Sequence, residues 1–278
     1  MSLEQYQPRS FNFLPPVVKN LLILNGLFFL ATFAAGSAFN IDLNKYLSLH
    51  YFESPDFRPW QYITYMFMHD TTGFGHIFFN MFALWMFGNA LENIWGSKRF
   101  LFFYLFTGIG AAFVQTLINF YEVSTIQHAI TIYNTTHTPD AFVNLLQTHF
   151  QGQFNPEKLQ LFIREWTSNP SRTEFVNQAS EFIDTFLQPH LNSITLGASG
   201  AVFGLLAGFG LMFPETVIYL YFVIPLKAKW FVIGYAALEL FFGVSGSQSN
   251  VAHFAHLGGA LFGLILILYW RKHPGKIM

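Results

Sequence analysis

Four side chains of the types that carry acyl-transfer chemistry each lie in an apolar run of this chain. Ser199 sits in Leu196-Gly197-Ala198-Ser199-Gly200-Ala201-Val202-Phe203-Gly204, His256 sits near the start of a second run, and His76 and Asn80 lie four residues apart at the start of a third. A serine hydroxyl is a weak nucleophile until a base takes its proton, and a neutral imidazole is the usual base. The anionic tetrahedral intermediate then needs preorganised donors, each worth ~3–4 kcal/mol. His76, Asn80 and the backbone amide of Ser199 at a helix start are the candidates, and the positive end of that helix dipole favours the same charge. A lone serine would be read as bonded within its own helix. What outweighs that reading is matching position: at 1.5 Å per residue, all four groups fall within ~10 Å of the same end of their runs. No carboxylate stands near His256 in sequence, so the pair reads as a Ser-His dyad. Glu239, on a separate run, could orient the ring, but a structural hydrogen bond is the reading taken for it.

The elements that must position these groups are membrane spans. The 278 residues are 53% hydrophobic, include 36 Phe and are only 10% charged, whereas a soluble domain carries about 25% charged residues. A net charge of −1 excludes bulk attraction to nucleic acid, and the absence of cysteine excludes disulfides, thiolate catalysis and cysteine metal sites. Six spans are predicted: Leu21 to Phe39 (a retained anchor rather than a signal peptide), His76 to Ile94, Phe100 to Ile118, Leu196 to Phe213, Phe231 to Gly243 and Val251 to Trp270. The fifth is short unless part of Thr216 to Pro225 joins it. Residues 40–75 mix aromatics with charges and suit a loop half in the interface, with Trp60, Tyr62 and Tyr65 in the aromatic belt.

Between the third and fourth spans the composition changes. Residues 120–190 hold Glu122, Asp140, Glu157, Glu165, Glu174, Glu181 and Asp184 against Lys158, Arg164 and Arg172. Three amphipathic helices are marked there by Thr138-Pro139-Asp140, Asn155-Pro156-Glu157 and Asn169-Pro170-Ser171. The domain reading is therefore residues 1–119 and 191–278 for the two parts of an all-α membrane bundle, with 120–190 as a soluble helical insertion. Basic residues fall at alternate span ends (Arg9 and Lys19, Lys98 and Arg99, Lys227 and Lys229, Arg271, Lys272 and Lys276). The positive-inside bias puts both termini in the cytoplasm and the insertion outside.

Glycines bear on whether the helices can close on each other. Gly200, Gly204 and Gly208 repeat every four residues, as do Gly259 and Gly263 after His256, and such small-residue faces let helix backbones approach. Taken with Gly197-Ala198-Ser199-Gly200, the run Ala255-His256-Leu257-Gly258-Gly259, and His76-Ile77-Phe78-Phe79-Asn80 with Gly88-Asn89-Ala90-Leu91-Glu92, this chain resembles the rhomboid intramembrane serine proteases. The resemblance implies a six-helix bundle that cleaves other membrane proteins within or beside their transmembrane segments. It implies Ser199 as nucleophile, His256 as base, and His76 and Asn80 as oxyanion donors. Phe203 then packs on the histidine ring, and Glu92 ties the first outer loop to the second span. Gly197, Gly200 and Gly259 are supporting positions. Trp60 is followed by Gln61, where the family often has Trp-Arg, and the acidic insertion has no counterpart in the minimal core.

Three alternatives are kept or set aside. A catalytically silent relative that binds transmembrane helices is retained as the alternative function. A transporter would distribute polar groups through the membrane and break two helices, which is not the pattern here. No metal or cofactor is expected, since there is no His-Glu-x-x-His helix and His69 and His253 read as structural or site-lining. The Ser- and Gly-rich stretch 243–250 reads as an outer turn or flexible cap. The expected partners are transmembrane-protein substrates and the lipid bilayer, the expected location is a bacterial plasma membrane, and oligomeric state is open.

Overall fold

The computed structural model describes residues 11–220, 223–245 and 251–273; Arg9, Lys276 and residues 246–250 of the expected cap lie outside them. The described chain is mostly helical: α1 (Pro16–Phe39), short α2 (Asn44–Leu47) and α3 (Gln61–Thr64), α4 (Gly75–Trp95), α5 (Ser97–Thr136), α6 (Pro139–His149), α7 (Pro156–Ser168), α8 (Thr173–Leu191), α9 (Ser199–Met212), α10 (Ala228–Ser245) and α11 (His253–Lys272). Two compact units result. One draws on the described residues of Met1–Leu49, Asp56–Gln115 and Ile194–Met278, the other on His50–Pro55 and Thr116–Ser193.

The first unit is built around α9. From Gly200 to Gly210 every residue except Phe209 is buried, as expected of a helix that is apolar all round and enclosed by others. Leu84, Phe87 and Leu91 of α4, Phe100 and Phe103 of α5, and Leu266 and Ile267 of α11 form the core with it. By contrast α1 exposes Ile23, Leu27, Leu30 and Phe33, and α10 exposes Ile233, Leu238, Phe241 and Val244. Contiguous apolar surface of that extent suits lipid rather than water. Among the described residues, α1, α5, α10 and α11 are long and apolar enough to cross a membrane, and α9 is a shorter apolar helix of 14 residues. The 21-residue α4 is not in that set, because His76, Asn80, Asn89, Glu92 and Asn93 interrupt its apolar character.

Several boundaries differ from the sequence reading. The helix begun at Ser97 does not stop near Ile118 but continues for 40 residues to Thr136. Asn119 is a weak stop signal because asparagine is a tolerable helix residue and no Pro or Gly follows it. Residues 217–227 do not extend the fifth span, and they qualify the all-α expectation. Val217–Leu220 pairs antiparallel with Ile224–Lys227, and α10 starts directly afterwards at Ala228. Tyr65 is not in an aromatic belt but buried in a 3-10 turn.

The second unit has its own core, in which Ile126 and Tyr133 of α5 meet Phe142, Leu145 and Leu146 of α6, Trp166 of α7 and Phe175, Ala179 and Ile183 of α8. Trp166 and Phe175 stack with ring centroids 6.4 Å apart. Thr138 and Asn155 cap α6 and α7, the Asn155 Oδ1 accepting from the Glu157 and Lys158 N–H groups. The third start falls two residues later than Ser171, at Thr173, with no side-chain cap.

Candidate active site

Ser199 is the first residue of α9 and His256 lies one turn into α11, and the Ser199 hydroxyl meets His256 Nε2 at 2.8 Å. Helix packing produces that contact. A Cβ at Gly259 would stand 1.8 Å from the Gly200 carbonyl oxygen, and one at Gly263 would stand 3.0 Å from that of Gly204. The α9 and α11 backbones are thus in direct contact just below the pair, which only glycine permits. Above the pair, Gly197 has φ +122°, a conformation that side chains rarely adopt. Its N–H donates to the Tyr65 carbonyl at 2.9 Å, and the Tyr65 hydroxyl donates to the Gly108 carbonyl at 2.7 Å. The turn that presents Ser199 is therefore held by a buried residue of the preceding loop.

His76 reaches the same spot from α4. A Cβ at Gly197 would lie 2.9 Å from His76 Nε2 and 3.5 Å from Ser199 Oγ, so both atoms flank one small space. The Asp70 N–H donates to His76 Nδ1 at 3.2 Å. Because Nδ1 accepts, a neutral His76 ring carries its proton on Nε2 and presents a donor there. The Asp70 loop is itself ordered by its carboxylate, which accepts from the Thr72 N–H and hydroxyl at 2.8 and 2.9 Å. Asn80 is buried one turn further along α4, and its Nδ2 donates to the His76 carbonyl at 2.8 Å. That bond uses one Nδ2 hydrogen; the amide has a second.

The His256 ring is fixed on its other sides. Phe203, one turn along α9, stacks on it with centroids 4.3 Å apart and planes 4° from parallel. Glu239 of α10 places a single carboxylate oxygen 3.0 Å from His256 Nδ1 and 2.6 Å from His253 Nδ1. All three residues are buried. Glu239, His253 and His256 offer three ligand-type atoms within 4.8 Å of one another. Donors sharing one zinc in a tetrahedral site stand about 3.4 Å apart, whereas the Glu239 contacts have hydrogen-bond lengths.

A rhomboid domain model matches residues 56–148 and 176–273, more than half of the chain and including every residue of this cluster. The chain belongs to the rhomboid family. Among curated relatives, it is 24% identical to rhomboid protease AarA of Providencia stuartii over 221 residues, 78% of this chain and 58% of that protein. It is 28% identical to rhomboid protease GlpG of Haemophilus influenzae over 122 residues, 43% of this chain and 62% of that protein. It is also similar to rhomboid protease GluP of Bacillus subtilis, at 35% identity over 71 residues, 26% of this chain and 14% of that protein. The chain thus spans about three fifths of the first two of these relatives and a smaller part of the third. Family membership and the apolar helices make it an integral membrane protein.

In this rhomboid chain the structure brings Ser199, His256, Phe203, His76, Gly197, Gly200 and Gly259 together in one cluster, with Asn80 one helical turn from His76. The expectation for Glu92 needs correction. It lies at the far end of α4, where Oε1 accepts from the Val17 N–H and Ser97 hydroxyl and Oε2 from the Val18 N–H, at 2.6–3.0 Å. It ties the start of α1, not the outer loop. Asn89 and Asn93 continue this role by donating to the Phe13 and Asn12 carbonyls. The loop before α4 is held by Gln61 instead. This fully buried side chain accepts from the Arg58 N–H and donates to the Asp56 and Tyr46 carbonyls, with Trp60 Nε1 also reaching Tyr46. Sequence reasoning missed Tyr65 and underread Glu239. A glutamate within an apolar run is the one signal that could have marked Glu239.

Proposed function

We propose that this chain is an intramembrane serine protease that hydrolyses peptide bonds in or next to transmembrane segments through a Ser199–His256 dyad. The 2.8 Å contact between Ser199 Oγ and His256 Nε2, made by two helices that meet at glycine, carries this reading. Ser199 gives its proton to His256 Nε2 as Oγ attacks the scissile carbonyl carbon. His256 returns that proton to the leaving amine as the C–N bond breaks. A water then attacks the acyl-enzyme with its proton going to His256, and the carboxylic product leaves as Ser199 regains its hydrogen. The Nε2–H of His76, the second amide hydrogen of Asn80 and the Ser199 N–H, which has no acceptor inside its own helix, stabilise the oxyanion. No cofactor or metal takes part.

The bundle comprises six spans: α1, α4, the first half of α5, α9, α10 and α11. Residues 120–190 form an extracytoplasmic insertion between the third and fourth, and both termini are cytoplasmic, in a bacterial plasma membrane. At 1.5 Å per residue α9 is about 21 Å long, short of the ~30 Å hydrocarbon core. We read Ser199, at its start, as lying below the outer surface. Suitable substrates are single-span proteins whose helices unwind readily there, since a backbone must leave its hydrogen bonds to be cut.

A serine-directed fluorophosphonate tests the reading. Ser199 Oγ attacks phosphorus and fluoride leaves, a step that also needs the base. Wild type should be tagged, while Ser199→Ala and His256→Ala should each lose the tag by at least about 10³-fold. A single-span reporter in liposomes should be cut by wild type alone. Absent labelling of wild type would favour a silent helix-binding relative, and labelling that survives either substitution would refute the dyad.

A further inference from the structure

We propose that Glu239 is a positioning residue for His256: one carboxylate oxygen, shared with His253, holds the proton of His256 on Nδ1 and leaves Nε2 bare toward Ser199. The inference rests on the reading of Ser199 and His256 as nucleophile and base.

An ionised carboxylate only accepts hydrogen bonds. Contacts of 2.6 and 3.0 Å from one Glu239 oxygen to two imidazole Nδ1 atoms therefore require a hydrogen on both nitrogens. In neutral His256 that assignment empties Nε2, the atom 2.8 Å from the Ser199 hydroxyl. The opposite tautomer would point an N–H at the serine and could not take its proton. When Nε2 does take it, the imidazolium forms beside a buried carboxylate whose interaction is strengthened by low dielectric. His253 gives the buried charge a second donor, which a carboxylate withdrawn from water needs. Phe203 controls the ring plane, stacking 4° from parallel, but a stacked ring can still carry its proton on either nitrogen. Orientation and tautomer thus have separate supports, on α9 and α10. Of the other titratable groups near the pair, His76 comes from α4, and Asp70 from the loop before it has its carboxylate engaged by Thr72.

The test combines two readouts on full-length protein in detergent micelles. The first is the fluorophosphonate labelling rate of Glu239→Leu and Glu239→Gln. The second is the tautomer of His256, read from two-bond 15N–1H couplings of histidine-labelled protein in a Ser199→Ala background, where activity plays no part. In soluble serine proteases, loss of the equivalent carboxylate lowers kcat by about 10⁴. With Phe203 still holding the ring, Glu239→Leu should slow labelling by about 10²-fold or more and move the His256 proton to Nε2. Glu239→Gln keeps an acceptor but loses the charge, and should label at an intermediate rate, at least about tenfold below wild type. If Glu239→Leu does not fold, the glutamine variant decides alone, and a wild-type rate there overturns the inference. So does slowed labelling of Glu239→Leu with the proton still on Nδ1, which would make Glu239 merely structural. If Ser199→Ala or His256→Ala still label, the dyad itself has failed; if they are silent and Glu239→Leu labels normally, only the role of Glu239 has.

Discussion

Gly259→Ala should disable the site while leaving its chemistry intact. The added Cβ would stand 1.8 Å from the Gly200 carbonyl oxygen, and real Cβ contacts do not fall under 3.0 Å, so the α9 and α11 backbones must part locally by at least 1.2 Å. Gly200 adjoins Ser199 and Gly259 lies one turn from His256, so the displacement is delivered beside the proposed dyad. If transmitted in full, it stretches the 2.8 Å Ser199–His256 bond to about 4.0 Å, beyond hydrogen-bond range. A misplacement of ~1 Å costs about 10²-fold in rate, and overpacking costs a further ~1–3 kcal/mol of stability. The assay is the second-order rate of fluorophosphonate labelling, a probe small enough to bypass substrate docking, measured beside a thermal melt. Gly263→Ala is the control. Its Cβ would lie 3.0 Å from the Gly204 carbonyl oxygen, one turn further from the pair, so a shift of tenths of an ångström suffices and labelling should fall by no more than about threefold. Labelling of Gly259→Ala within about threefold of wild type would refute the argument that backbone contact sets the Ser–His distance.

Gln61→Ala should lower stability by ~1–3 kcal/mol, because the backbone groups of Tyr46, Asp56 and Arg58 lose a buried partner; an unchanged melt would mean that water replaces it. Glu92→Gln keeps the shape but has one acceptor oxygen for Val17, Val18 and Ser97. A loss of ~1–3 kcal/mol in denaturant titration is expected, with labelling retained in the folded fraction. In the second unit, burial and then the neighbouring His190 hold the His149 imidazole below its ordinary value of 6.5. The unfolded chain therefore binds that proton more readily. Stability from this group is complete above pH 6.5 and falls as pH drops below it, until the folded ring itself protonates. Between about pH 7.5 and 5, wild type should lose stability relative to His149→Gln as pH falls, read from melts of both; parallel curves would exclude His149 as the cause.

Much of the candidate site was legible because the chemistry proposed for it is written in residue type and local spacing. Ser199, His256 and His76 stood at matching ends of apolar runs, and the glycine repeats announced which helices could touch. Glu239 was underread because its partner His256 is 17 residues away, across the segment joining α10 to α11; only packing shows which face of α10 it occupies. Tyr65 went unrecognised because an aromatic in a mixed loop has the same composition whether it floats at an interface or fills a core. The capped starts at Thr138 and Asn155 were readable, since each Ser/Thr/Asn-Pro pair acts on its own backbone. The long run of α5 was not, because nothing in a local window says that a helix leaving an apolar stretch must end there.

The tie between Glu92 and the start of α1 has a consequence for assembly. The anchoring carboxylate lies 75 residues downstream of the Val17 amide it accepts from, so the first helix is synthesised well before its cap exists. Until α4 arrives, those amides must find water or lipid headgroups, which holds the beginning of α1 near the membrane surface. Docking of α4 then replaces those provisional partners, so the order of translation is also an order of hydrogen-bond exchange.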